Sequence, residues 1–375
     1  MSLGRPARVL FVNEGELGEG DVMGHAAAEE SLRARLSRSE RIEARFANLS
    51  ELRGLPLLAT RSLPLLASLD LDLQPTRWHM VQSLRARRLV QRELARFRAD
   101  ALHVESHAVS FGLEPAMRRL PTFLSVDVTV TDWRLMGIWR PVRGHTERTL
   151  ALSRALERRV FAAAALVLAW TAWVRASVER SLPGAAVEEH HPGIDLRVFR
   201  PAVRTEQKPV RVLFVGGRFA KKGGHDLLAA LGGRLGRTVE LDVVTPEAVP
   251  RHDGVRVHAL GIGDPRLVEL YRRADVFCLP SHGDAAPLAI LEAMACEAAV
   301  VSTSVGAIPE LLGHGSSGLV VPPRSPALLA EALDELVEDP ERRRELGRAA
   351  RARCEECYDA VRQTDRLVEL IESRL

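Results

Sequence analysis

A chain of 375 residues is long enough for two domains, each with its own core. Apolar residues make up 46% and charged residues 27%, ordinary for a globular protein and unlike a disordered or fibrous one. A net charge of +3 gives no sign of a nucleic-acid partner, and four cysteines, at 278, 296, 354 and 357, make no disulfide framework.

Taken in order, Arg8-Val-Leu-Phe-Val-Asn13 reads as a first buried strand. It runs into Glu14-Gly-Glu-Leu-Gly-Glu-Gly-Asp21, a glycine-rich loop with four carboxylates that is not a dinucleotide G-x-G-x-x-G. Asp70-Leu-Asp72 has the form of a metal-binding D-x-D. It lies in a Leu-Asp alternation followed by Pro75, a poor setting for a buried strand end, and no metal is expected there. Between Arg77 and Arg98 seven arginines face one acid, Glu93, while Val81, Leu84, Val90, Leu94 and Phe97 recur at helical spacing. This amphipathic helix has a basic face suited to anionic lipid or to a phosphorylated acceptor; a plain solvated face in an arginine-rich chain is the alternative.

Further strands are expected at 101–105, 122–126 and 165–169, alternating with helices, which favours a doubly wound parallel sheet with ligands at the strands' carboxyl ends. His103, Glu105 and His107 alternate along the first of these. His107, nearer the carboxyl end, is the candidate binding residue, and Asp127 follows the second strand. The apolar run Val160–Val174, bounded by Arg159 and Arg175, is too short to span a bilayer, and no signal peptide is evident. Cys354-Glu-Glu-Cys357 is a lone C-x-x-C without a second ligand pair, so neither metal nor redox chemistry is expected of it.

After Pro201 the pattern restarts. Val210–Val215 is a strand entering Gly216-Gly-Arg-Phe-Ala-Lys-Lys-Gly-Gly224. Glycines here let the backbone approach a ligand, and Arg218 and Lys222 are the cations to clasp a diphosphate; two of the chain's three lysines, at 208, 221 and 222, fall in this loop. Strands follow at 240–244 and 255–260, then Gly261-Ile262, a helix at 267–273, and the buried strand Asp275–Pro280. The loop Ser281–Asp284 then leads into a helix whose first turn accepts Pro287, because no N–H is needed there. A helix N-terminus at a strand end suits a phosphate or polar ligand, with Asp284 in its mouth and Glu292 further along. Three helical stretches close the chain. No internal repeat or low-complexity segment stands out.

Asp284, seven residues, Glu292-Ala-Met-Ala-Cys296, Val300-Val-Ser-Thr303, Val305-Gly-Ala-Ile-Pro-Glu310 and Gly318-Leu-Val-Val-Pro322 occur in one order. That series resembles the retaining glycosyltransferases of family 4, the glycosyl transferases group 1. Glu189-His-His-Pro-Gly-Ile-Asp195 with Val198-Phe-Arg-Pro201 is similar to the segment that closes their first domain. The resemblance implies a GT-B fold, an α/β architecture of two Rossmann-like doubly wound domains facing each other across a cleft. It implies an acceptor-binding domain over 1–200, a linker over 201–209 and a nucleotide-sugar-binding domain over 210–357. A last helix, 358–375, would cross back to the first domain.

The implied activity is metal-independent, retaining transfer of a sugar from a nucleoside-diphosphate sugar to a sugar, lipid-linked or small-molecule hydroxyl. No cofactor is needed, and the setting would be the bacterial cytoplasm; apart from the resemblance, the basic Arg77–Arg98 face leaves peripheral contact with the inner face of the membrane open beside the plain solvated reading. By the same resemblance Arg218, Lys222 and Gly217 bind the diphosphate, and Gly261 and Ile262 meet the base. Glu292 holds the ribose; Asp284, Ala285, Ala286, Pro287 and Leu288 position the sugar; Gly18 and Gly20 lie near donor and acceptor. Two positions depart from the family. Asp284 stands where Glu is usual, and Asp127 falls where a histidine beside the transferred sugar is common. These departures keep a second reading open, a nucleotide-sugar-binding or regulatory protein with weakened turnover; an epimerase or hydrolase on the same fold is a third.

Overall fold

The computed structural model describes residues 5–15, 23–50, 52–69, 71–136, 145–203, 209–261 and 263–375. Up to residue 191 the chain runs β1 (Ala7–Asn13), α1 (Met23–Leu36), β2 (Ile42–Asn48), α2 (Leu55–Thr60), α3 (Pro64–Ser68), α4 (Gln74–Leu94), β3 (Ala101–Glu105), α5 (Glu114–Met117), β4 (Thr122–Val126), α6 (Val130–Leu135), α7 (Thr146–Ala163), β5 (Leu166–Ala169), α8 (Ala172–Ser181) and β6 (Val187–Glu189). Beyond it come β7 (Val210–Val215), α9 (Gly224–Leu231), β8 (Val239–Val244), β9 (Val255–His258), α10 (Pro265–Arg273), β10 (Val276–Leu279), α11 (Leu288–Ala295), β11 (Ala299–Thr303), α12 (Ile308–Leu311), β12 (Leu319–Val321), α13 (Pro326–Glu338), α14 (Pro340–Arg353) and α15 (Ala360–Glu372).

Two compact units result, one of residues 1–22, 32–191 and 363–375, the other of 23–31 and 192–362. The first holds a parallel sheet in the order β2-β1-β3-β4-β5-β6. β3, β4 and β5 are covered on both faces, so they show no polar–apolar alternation, and His103, Thr122 and Ser125 are buried along with their apolar neighbours. On one face Val9, Phe11, Phe123 and Leu168 pack with Leu367, Val368, Leu370 and Ile371 of α15. On the other, Leu10, Val12, Leu102, Val104 and Leu124 pack under α4 and α7 through Ala86, Val90, Val160 and Phe161. β2 and β6 were not expected. Glu43 and Arg45 break up the apolar pattern of β2, and β6 has only three residues at the sheet edge.

The second unit holds a parallel sheet in the order β12-β11-β10-β7-β8-β9. In such sheets ligands bind outside the carboxyl ends of the two strands where the winding reverses. That point lies between β7 and β10 here, and between β1 and β3 in the first unit. The topology therefore selects four loops: those after β7 and β10, and those after β1 and β3.

Candidate functional site

In the second unit the two selected loops are bonded to each other. The loop after β7 winds into α9 through Lys222 N–H to Arg218 C=O (2.9 Å) and Gly224 N–H to Phe219 C=O (2.8 Å). Phe219 is buried against Phe214 and anchors the turn. His282 N–H, from the loop after β10, then donates to Lys221 C=O at 3.0 Å. Gly223 takes a left-handed φ of 77°, and a Cβ there would stand 1.9 Å from the Pro280 carbonyl oxygen, so only glycine lets the loops close up. On the far side Gly306, at φ 53°, brings its backbone against the carbonyl of Asp284, and Ala307 N–H bonds Ala285 C=O at 2.8 Å.

This closure brings Lys222 and Asp284 together, Nζ donating to Oδ2, with both side chains partly open to solvent. His282 Nε2 meets Asp226 Oδ2 at 2.8 Å beside them. Arg218 lies in the same loop, and Lys221 stands close enough to feel it. Desolvation first, then the Arg218 charge, hold the Lys221 ammonium below its usual range. A lysine depressed by a neighbouring cation marks a place where an anion is welcome. Gly217 is half-buried with open space where a side chain would be.

Asp284, Ala285, Ala286, Pro287 and Leu288 form one strip leading into α11, which starts after Pro287 in an extended conformation (φ −68°, ψ 114°). The first-turn N–H groups of α11 are aimed past this strip. Glu292 is one turn further on. Its residue keeps some open surface, but its carboxyl is deep enough for burial to push it up to about 7, opposed by the neighbouring Tyr271 hydroxyl. Tyr271 is itself wholly buried in α10. Gly261 follows β9, the edge strand, two strands from β7 in the sheet. Ile262 lies outside the described residues.

In the first unit the loop after β3 turns sharply at Ser106 (φ 75°), whose hydroxyl accepts from Ala108 N–H. The turn sends His107 inward, where it is 4% exposed. Burial pushes its pKa down to about 4 against the pull of the Asp127 carboxylate, which follows β4. Its Nε2 lies 3.5 Å from Glu157 Oε1 of α7, and Nδ1 finds no partner among the described residues. Glu157, 1% exposed, also accepts the Val130 N–H at 2.7 Å, which pins the start of α6. Its burial raises its pKa to about 8. His79 of α4 completes the cluster, bonded to Ser153 Oγ at 3.1 Å and held down to about 3 by burial and by His107. Gly18 and Gly20, in the loop after β1, lie outside the described residues, as does Asp70.

Sequence reasoning passed over Glu157, His79, Lys221 and Tyr271. Glu157 had a signal: it shares with Leu150, Ser153 and Phe161 a helical face that is otherwise buried. Asp72, considered for a metal, is a structural acid instead. It is 1% exposed and accepts from Ser62 Oγ, Leu63 N–H, Gln74 N–H and Arg77. Among the described residues no group of His, Cys, Asp and Glu has the form of a metal site.

Residues 253–353 match the family described as glycosyl transferases group 1, and this span holds the loop after β10, α11 and the strands that follow. Through its second unit the chain belongs to the group 1 glycosyl transferases. It is 31% identical over 183 residues to D-inositol 3-phosphate glycosyltransferase of Arthrobacter sp. (strain FB24), an alignment covering 42% of this chain and 44% of that one. The chain thus spans about half the length of the curated relatives it matches. Among solved structures, sucrose-phosphate synthase from Thermosynechococcus elongatus superimposes with a TM-score of 0.73 at 16% identity, covering 98% of each chain. Anabaena HepE in complex with UDP-glucose does so with a TM-score of 0.67 at 16% identity, over 98% of this chain and 99% of that one. At such identities the likeness concerns the fold, which is GT-B: two Rossmann-like units built on parallel sheets.

Proposed function

We propose that this group 1 glycosyl transferase moves a sugar from a nucleoside-diphosphate sugar to an acceptor hydroxyl, with retention and without a metal. The observation that carries this reading is the meeting of Lys222 and Asp284 at the reversal point of the second sheet. A cation that holds a diphosphate and a carboxylate that holds sugar hydroxyls must lie side by side, since the sugar hangs from that diphosphate. HepE, of like fold, is described in complex with UDP-glucose, which supports a donor of this class.

In this reading the bond between the anomeric carbon and the diphosphate oxygen breaks, and its electron pair leaves with the diphosphate. The acceptor oxygen forms the new bond, and its proton passes to the departing phosphate. Arg218, Lys222 and the N-terminus of α11 stabilise the leaving charge because they are fixed in place before it develops. Glu292 accepts from the ribose hydroxyls, and Gly217 gives the phosphates room. Asp284 and the strip to Leu288 orient the sugar; the base is assigned to Gly261 and Ile262. Asp127 and His107, with Gly18 and Gly20, serve the acceptor and the transferred sugar in the first unit, the acceptor-binding one.

The test pairs binding with turnover. Nucleoside diphosphates and their sugars should raise the melting temperature, since a ligand at 100 times its dissociation constant stabilises by roughly 2.7 kcal/mol. Free nucleoside diphosphate should then accumulate only when an acceptor is added. Binding without acceptor-dependent release would instead support a nucleotide-sugar-binding regulator, and release without any acceptor a hydrolase.

A further inference from the structure

Beyond the transferase reading, one surface of the first unit serves none of the residues assigned so far. Between β2 and α4 one five-residue string, too short for a structural repeat, occurs twice: Leu55-Pro-Leu-Leu-Ala59 in α2 and Leu63-Pro-Leu-Leu-Ala67 running into α3. Prolines near the start of each stretch begin the helices, yet the leucines do not turn to the core. Leu55 is 80% exposed, Leu65 75% and Leu58 56%, and nine leucines between 55 and 73 are exposed in all. Single exposed leucines are ordinary; a contiguous pad of them marks an interaction surface.

The pad is held out rather than left loose. Asp72, buried beneath it, accepts Ser62 Oγ at 2.8 Å, Leu63 N–H at 2.9 Å and Gln74 N–H at 3.0 Å. Arg77 of α4 binds both Asp72 and the Arg61 carbonyl, at 2.9 and 2.8 Å. α2 packs against α4, and the open stripe of α4 continues the surface: Met80 and Leu84 first, then Arg87, Arg88 and Arg92, spaced as one helical face, with Arg96 in the turn just past its end. None of these four arginines is ion-paired among the described residues. Beside them opens a groove of about 870 Å³ lined by Leu94, Phe97 and Leu113 with Arg87, Arg98 and Arg119.

An apolar pad continuous with unpaired arginines is matched by an anionic bilayer, whose acyl boundary takes the leucines and whose headgroups meet the arginines. A second copy fits worse, because a two-fold pairing of this patch would set the same arginines against each other. We infer that the α2–α3 leucine pad and the basic stripe of α4 form a docking surface for anionic lipid membranes.

Flotation of the full chain with vesicles tests this. Binding is expected to phosphatidylcholine vesicles containing 30% phosphatidylglycerol, with little binding to phosphatidylcholine alone. Leu58→Ser/Leu65→Ser should cut the partition coefficient by on the order of tenfold, since both side chains already face solvent and their loss should spare the fold. Arg88→Gln/Arg92→Gln should lower binding most at low salt. Failure of the wild type to float with anionic vesicles would overturn the inference, as would undiminished binding by the leucine variant. So would a concentration-dependent dimer, seen by sedimentation, that the leucine variant abolishes, because the pad would then belong to a second copy.

Discussion

Lys222 and Asp284 lie 62 residues apart in the chain and meet through Nζ and Oδ2. Each comes from a loop at the carboxyl end of a central strand, and β7 and β10 are neighbours in the sheet. If a diphosphate shares the Lys222 ammonium with Asp284, the two residues should respond in opposite senses. Lys222→Ala and Arg218→Ala should each weaken nucleoside diphosphate affinity by about 10- to 100-fold, the loss of a charge-assisted hydrogen bond of roughly 1.5–3 kcal/mol. Asp284→Asn should leave that affinity unchanged or tighter while lowering turnover. Calorimetry with nucleoside diphosphate on the folded variants decides it, and unaltered affinity in both cation variants would sink the assignment.

Glu292 gives the second expectation. Its carboxyl is held up to about 7, so it is largely protonated below neutrality and ionised above it. A carboxylate accepts from two ribose hydroxyls better than a neutral acid does. Affinity for a nucleoside should therefore rise with pH between about 6 and 8, and Glu292→Gln should flatten that rise. A rise that persists unchanged in Glu292→Gln would place its origin elsewhere.

Asp127 separates binding from chemistry. It lies in the first unit, so Asp127→Ala should leave nucleoside diphosphate affinity intact while lowering turnover by about 100-fold through misplacement of the reacting groups. Asp127→Asn, which keeps shape and some hydrogen bonding, should do less harm if positioning is the role. If the charge itself matters, Asn should be nearly as damaging. Near-normal turnover in Asp127→Ala would return Asp127 to a residue at a strand end.

Metal dependence has a direct check. Leaving-group charge assigned to Arg218, Lys222 and the start of α11 should need no cation, so activity should persist in excess EDTA. Activity lost on chelation and restored by manganese or magnesium would overturn metal independence.

Glu157 predicts how stability varies with pH. Its folded pKa, about 8, lies above its ordinary value of 4.5, so its contribution is full below pH 4.5 and is lost as pH rises toward 8. His79 and His107 work in the other direction. Their folded values, about 3 and about 4, lie below the ordinary 6.5, so their contribution holds above pH 6.5 and is lost as pH falls through 4. Glu157→Gln keeps the Val130 contact and cannot ionise. Relative to it, the wild type should lose roughly 3–4 kcal/mol of unfolding free energy between pH 5 and pH 8. Parallel stability curves for the two proteins would show that Glu157 does not titrate in this range.

What the sequence determined by itself was whatever repeats locally. Strands buried on both faces, such as Thr122–Val126 and Val210–Val215, are mostly apolar, broken only by Thr122 and Ser125 in the one and Arg211 in the other, and are legible without a neighbour. So was the ordered series from Asp284 to Pro322, because each motif is contiguous, and with it the candidate residues 216–224 and 284–292. Edge elements were not legible: β2 mixes Glu43 and Arg45 with Ile42 and Phe46, since part of its surface is open to water. Tertiary structure alone decided which distant residues meet. Strand order, not spacing, puts Lys222 on Asp284, and the inward turn at Ser106 puts His107 beside Glu157, 50 positions further along. It also decided that the leucines of α2 and α3 face outward. A leucine run looks the same in sequence whether its apolar surface is buried or exposed, and only the packing of the surrounding elements says which.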